Sequence, residues 1–328
     1  MQRKIVRLIF LFILFGSWSQ LAEASSPGFS VKAVLPESQT NQQVSYFDIT
    51  LKPKQEEILK IQVSNHSNEE LTLEIDVNTA TTNSNGVINY GFSDEEPDES
   101  LEINFAEIVD LEERTLKLDP RESRTMEIKV NMPENSFDGI LLGGITVSEQ
   151  MLDTDSQISN RFSYSLAVVI NQTNNEILPT VDLAKVELEN RNSRSFVVGT
   201  IQNQAAMILN DVYVEAQVFK KEHDKPIYSE ARSDMRMAPN STLAFGISTG
   251  TKPLMAGDYR LKLFVSSGEE EWEFEKYFKI SEKEARELNE QAVNLEKNSS
   301  GLYLAIASGV VILLLLIIAW LMYSKKKR

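Results

Sequence analysis

The chain predicts an all-β fold: two tandem antiparallel β-sandwiches, then a short stalk helix and one membrane-spanning helix. Three observations carry this reading. Apolar and polar residues alternate in short runs along most of the chain, polar turn segments separate those runs, and one stretch near the C-terminus has no charged residue. Alternation places successive side chains on opposite faces of a strand, as a sheet with one buried face requires. Many short strands with polar turns favour immunoglobulin-like sandwiches over mixed folds.

The elements follow in order. Arg3, Lys4 and Arg7 precede the apolar run Leu8 to Phe15, and Ala22-Glu23-Ala24 has a small-x-small pattern. Residues 1–24 therefore read as an export signal, with Ser25 the expected first residue of the mature chain. The ectodomain, residues 25–298, has 274 residues, about two domains' worth. Its strands show in Ile58 to Val63, Leu71 to Val77, Met126 to Val130, Phe162 to Leu166 and Tyr259 to Val265. Turns show in Ser64 to Asn68, Asn83 to Gly86 and Glu95 to Asp98.

A pattern recurs. Leu116-Lys117-Leu118-Asp119-Pro120 leads into Met126 to Val130, and 119 positions later Met235-Arg236-Met237-Ala238-Pro239 leads into Leu243 to Ile247. We read two related sandwiches, the first over 25–172 and the second over 173–280, with the boundary near Asn171 to Pro179. Residues 281–301 form the stalk, with Ala285, Leu288, Ala292 and Leu295 at helical spacing. Leu302 to Tyr323 then runs 22 residues without a charge, and Lys325, Lys326, Lys327 and Arg328 follow within the tail, residues 324–328. A helix of that length covers ~33 Å, enough to cross a bilayer core. The basic tail places it in the cytoplasm and the ectodomain outside.

Composition narrows function. There is no cysteine, which excludes thiol chemistry and points to a bacterial exported protein. The net charge is −15, and removing the basic tail and a net +2 in residues 1–24 leaves −21 on the remainder. Such a surface is expected to bind neither nucleic acid nor anionic lipid and favours neutral glycans or proteins; the same charge also serves solubility alone. His66 and His223 are the only histidines, no catalytic or nucleotide-binding motif is present, and neither a catalytic residue, a metal nor a cofactor is expected. The chain reads as a binder and not an enzyme.

Two segments suit ligand binding. Tyr46-Phe47-Asp48 precedes a strand, and Asn78 to Asn83, Asn85-Gly86 and Tyr90 form an amide- and hydroxyl-dense loop beside aromatics. Aromatic faces with short polar side chains suit sugars. Tyr46, Asp48, Thr82, Asn83 and Tyr90 are the candidate glycan contacts. Turn formation is the competing explanation, since Asn-Gly is a hairpin signal. Gly143-Gly144, inside an apolar strand opened by Asp138-Gly139, signals a bulge or the close approach of another backbone.

Phe29-Ser30-Val31, Pro36-Glu37, Tyr46-Phe47-Asp48, Asn65, Ala80 to Asn83, Asp138-Gly139 and Gly143-Gly144 occur in the order found in one family. The chain resembles the WxL-interacting proteins of Gram-positive bacteria, strongly over the first domain and more loosely over 160–280. The resemblance implies a peptidoglycan-binding first domain, a second domain binding host or partner proteins, and complexes with WxL-domain proteins at the cell wall. Direct adhesion to a host matrix protein is the alternative. The chain is not itself a WxL protein, because none of Trp18, Trp272 and Trp320 is followed by a residue and then leucine.

Overall fold

The computed structural model describes residues 28–94, 96–150 and 161–293, with the single positions Leu295, Ser308 and Ile317. The expected signal, nearly all of the expected membrane span and the basic tail lie outside them. Among the described residues no helix is long and apolar enough to cross a membrane.

The first half contains β1 (Phe29–Val34), β2 (Phe47–Thr50), β3 (Glu56–Asn65), β4 (Leu71–Thr79), a small hairpin of β5 (Thr81–Thr82) and β6 (Ile88–Asn89), the one-turn helix α1 (Phe105–Ile108), β7 (Val109–Asp110), β8 (Thr115–Leu118), β9 (Ser123–Asn131), β10 (Ile140–Glu149) and β11 (Ser163–Asn171). The second half contains β12 (Val181–Arg191), β13 (Arg194–Asn203), β14 (Leu209–Lys220), β15 (Tyr228–Met237), β16 (Ser241–Ser248), β17 (Gly257–Ser267), β18 (Glu270–Ile280) and helix α2 (Glu282–Gln291). The fold is all-β.

In the first half, a four-stranded sheet of order β1-β3-β9-β7 faces a five-stranded sheet of order β2-β11-β10-β4-β8. Between them Phe29, Phe47, Ile61, Ile75, Phe105 and Ile145 form one buried core. In the second, the sheet β12-β13-β16 faces β15-β14-β17-β18 across Val197, Val214, Phe245, Leu261 and Val265. Each fully buried side chain of this size contributes roughly 1.5–3 kcal/mol.

The sequence repeat is a repeat of turns. After β8 the chain turns at Pro120 with Arg121 at φ 64, and after β15 it turns at Pro239 with Asn240 at φ 47. Each turn is pinned by a buried asparagine at the end of the neighbouring strand. Asn65 Nδ2 donates to Glu69 O and Asp119 O, at 2.8 and 3.0 Å, and its Oδ1 accepts from Ser67 N at 2.8 Å. Asn203 Nδ2 donates to Ala238 O and Met207 O, at 2.8 and 2.9 Å, and its Oδ1 accepts from Ala205 N.

Helix α2 is shorter than the stripe of apolar residues predicts. It begins with a capping box between Ser281 and Glu284 and ends at Gln291. Ala292 leaves the helix because its neighbour Val293 donates its N–H to Ser193 O, which draws the chain into an extended path. The helix lies on the second sandwich: Ala285 is buried in that core, Leu288 packs against it, and the Asn289 side chain bonds both N–H and C=O of Leu254.

Candidate functional site

Strand β10 is buried on both faces. Its odd-numbered residues Leu141, Ile145 and Val147 enter the first core. Its even-numbered residues lie on the outer face of the five-stranded sheet, and register places side chains there in rows. Asp76, Thr146 and Ser165 form one row across β4, β10 and β11, and Glu74, Ser148 and Ser163 form the next. Thr146 and Ser165 share a hydroxyl hydrogen bond of 2.9 Å. Arg161 closes this end of the face with bonds to Glu74 and Ser148.

Three of the five candidate residues sit at the other end of this face. Asp48 lies beside Val169 in the parallel pairing of β2 and β11, and Val169 and Tyr90 both pack against the small cluster that contains Leu142. Tyr46 is 37% exposed. Burial raises the Tyr90 pKa, Arg236 of the second domain opposes that shift, and Tyr46 adds to it. Burial likewise raises the pKa of Asp48. Gln39 fixes the approach to β2, donating to Tyr46 O and accepting from Asp48 N.

The remaining two candidates belong to the β5–β6 hairpin, and the structure gives each a turn or interface task. Asn83 is exposed, and its Oδ1 accepts from Asn85 N and Val87 N, which is turn chemistry. Thr82 is 1% exposed and points into the second domain. Its hydroxyl lies 2.7 Å from Ser241 Oγ and accepts from Ala238 N at 2.8 Å. The hairpin docks between β15 and β16: Arg236 N donates to Gly86 O, and the Arg232 guanidinium donates to Ser84 O. Gly86, at φ 72, brings its backbone against Met235, where a side chain on residue 86 has no room.

Two close approaches explain the paired glycines, one from the first core and one from the hairpin side. A Cβ on Gly143 falls inside the Phe105 ring, and one on Gly144 falls against the Tyr90 backbone carbonyl. The close-approach reading is the one observed. No bulge occurs there, since β10 stays in continuous register with β4 and β11. Ile88, Leu142, Ala80 and Ala238 form the small apolar centre of the seam. With only two large aliphatic side chains, at roughly 1.5–3 kcal/mol each, the apolar centre is modest. The hydrogen bonds of Thr82, Gly86 and Ser84 fix its register.

Sequence pattern alone does not single out Thr146, Ser165 and Asp76, whose row comes from strand register. The alternation Phe162-Ser163-Tyr164-Ser165 was visible, but its polar partners read as ordinary solvent-facing positions. Among the described residues no group of three or more His, Asp or Glu side chains is placed to hold a metal ion.

A family model described as the peptidoglycan binding domain of the WxL Interacting Protein matches residues 29–149, and one described as its host binding domain matches residues 153–290. The chain belongs to the WxL-interacting protein family. Its two matched domains are those of a cell-surface binding protein. No curated protein matches this WxL-interacting protein. Among solved structures it is similar to the CsuC-CsuE chaperone-tip adhesion subunit complex of Acinetobacter baumannii, at 12% identity over 66% of this chain and 89% of that one, with a TM-score of 0.32. It is also similar to the E. coli chaperone DraB, at 14% identity over 77% of this chain and 98% of that one, with a TM-score of 0.29. Scores this low assign neither a binding mode nor a partner.

Proposed function

We propose that this WxL-interacting protein is a membrane-anchored scaffold that holds peptidoglycan on the outer face of the five-stranded sheet. The observation that carries the reading is that face itself. Tyr46 and Tyr90 stand at one end, the hydroxyls of Thr146, Ser163 and Ser165 run along it, and Tyr46, Tyr90 and Thr146 fall within the residues matched to peptidoglycan binding. Aromatic rings and short hydroxyls match the alternating apolar and polar faces of a sugar chain. Residues 302–323 would anchor the protein in the cell membrane, with the ectodomain in the wall zone. WxL-domain proteins would join through exposed strand edges, which accept an added strand. No catalytic step is assigned to the chain.

The test is co-sedimentation of the full-length protein, kept in mild detergent, with insoluble peptidoglycan. Binding is expected, and Tyr46→Ala is expected to weaken it about tenfold. The same change is expected to shift stability by less than about 1 kcal/mol, because the ring is partly exposed. Complete recovery of the parent protein in the supernatant at low and moderate salt overturns the reading.

Direct adhesion to a host matrix protein is the second reading. The outer face of β14-β17-β18 favours it, where Tyr213 and Phe264 meet edge to face and Tyr277 is exposed further along β18. Antibodies that label protoplasts but not intact cells would count against it.

A further inference from the structure

The hairpin that docks into the second domain carries at its tip the chain's single Asn-Gly pair, Asn85-Gly86. That pair has a chemistry of its own. The glycine backbone nitrogen attacks the side-chain carbonyl carbon of the asparagine, and no Cβ on the following residue hinders the approach. A succinimide ring forms and ammonia leaves. Water then opens the ring at either carbonyl. The product is aspartate, or the isomer in which the main chain runs through the side chain. Water is the only co-reactant.

In the docked hairpin the asparagine is accessible and its attacker is held. Asn85 is exposed, whereas Gly86 is buried. The Gly86 N–H donates to Asn83 O at 2.9 Å, which keeps the attacking nitrogen's proton in a hydrogen bond. The Gly86 carbonyl accepts from Arg236 N at 2.7 Å, and Met235 packs against the Gly86 backbone. On the other side, Ser84 O accepts from the Arg232 guanidinium at 3.0 Å. The second domain thus holds the peptide units flanking the one that must turn. Closing the ring rotates Asn85 about its Cα–C bond, which breaks at least one of these contacts. The hairpin alone restrains this little, because β5 and β6 pair only with each other and such a pair is marginal in water.

We propose that Asn85 is a self-modification site gated by the seam between the two domains. Docked, it stays asparagine. Undocked, Gly86 N closes on Asn85 Cγ, ammonia departs and water completes the change. The isoaspartyl product has one extra main-chain atom between Ser84 and Gly86. Gly86 O and Ser84 O then no longer reach Arg236 N and Arg232 together. Opening becomes irreversible, and the modified fraction records how often the hairpin has left the seam. This holds whatever the sheet face binds.

The test follows Asn85 in the full-length protein, kept in detergent at mildly alkaline pH, by mass spectrometry of its digest. A synthetic peptide of residues 78–93 is the undocked reference. The protein is expected to deamidate at least about tenfold more slowly than the peptide, because the reaction proceeds only from the opened fraction. Thr82→Val removes the hydroxyl bonded across the seam, and Arg232→Ala removes the bond to Ser84 O. Each is expected to raise the rate at Asn85 in proportion to hydrogen exchange at the Arg236 amide, which Gly86 O protects. Arg232 also packs over Phe245, so Thr82→Val is the variant that leaves both cores intact. Asn85→Gln is expected to abolish the signal, since glutamine must close a larger, slower-forming ring. Isoaspartyl protein, detected with an isoaspartyl methyltransferase, is expected to exchange the Arg236 amide rapidly.

A protein that deamidates as fast as the peptide overturns the proposal. So does an unmoved rate at Asn85 in a variant whose Arg236 amide exchanges faster. Isoaspartyl protein that still protects that amide overturns it as well.

Discussion

Replacing Asn203 with Asp is expected to destabilise the second domain by about 3–5 kcal/mol, a fall in melting temperature on the order of 20 °C. Asn203 is 0% exposed. Its amide nitrogen donates to two backbone carbonyls, at 2.8 and 2.9 Å. A carboxylate of the same shape turns both contacts into oxygen facing oxygen, with only the Ala205 N–H left as a donor to it. Burial without a cationic partner raises the pKa of the new carboxyl above its unfolded value. An acid with a raised folded-state pKa binds its proton more tightly when folded, so the deficit is smallest at low pH and grows as pH rises through that pKa. Thermal melts of the variant and the parent at pH 4.5 and pH 8 check both claims. A shift under about 2 °C at pH 8 would show that Asn203 does not pin the turn. Asn65→Asp is expected to do the same to the first domain, since Asn65 holds the corresponding turn through Glu69 O and Asp119 O.

Gly144→Val is expected to uncouple the two domains. The added side chain collides with the Tyr90 backbone, which cannot yield as a flexible side chain would. Overpacking of this kind costs about 1–3 kcal/mol. The segment carrying Tyr90 continues from β6, so the collision lifts the hairpin that seats Thr82 against Ser241 and Ala238. Differential scanning calorimetry is expected to resolve two transitions in the variant where the parent protein gives one. One unshifted transition in both would mean that the hairpin tolerates the displacement.

The strands were readable because each half-buried strand carries a period of two, as in Leu71 to Val77 or Tyr259 to Val265. Gly143-Gly144 was readable as a close approach because only absent side chains admit another backbone within an apolar strand. The identity of the approaching chain was not readable, since Tyr90 reaches Gly144 through tertiary folding that leaves no local pattern. The same limit hid the fate of Thr82. A threonine in an amide-rich loop presents the same residues whether it faces solvent or, as here, a neighbouring domain. Tyr46 and Asp48 were placed by their position beside a strand, but the hydroxyl row that gives them a surface comes from register between β4, β10 and β11. Asn203 left no local signal, because its role depends on a turn at Pro239 that is distant in sequence.

Helix α2 also has a mechanical consequence. In a chain tethered through the residues beyond it, tension arriving from that side reaches the Val293–Ser193 bond and the Asn289–Leu254 pair before any sheet. Beyond them lies β18, joined to β17 along its whole length from Glu270 to Ile280. The latch of a few contacts gives way at a lower load than the strand pair. Peeling α2 from the sandwich lengthens the chain while both domains stay folded. In a chain tethered that way, the helix would take up the first extension.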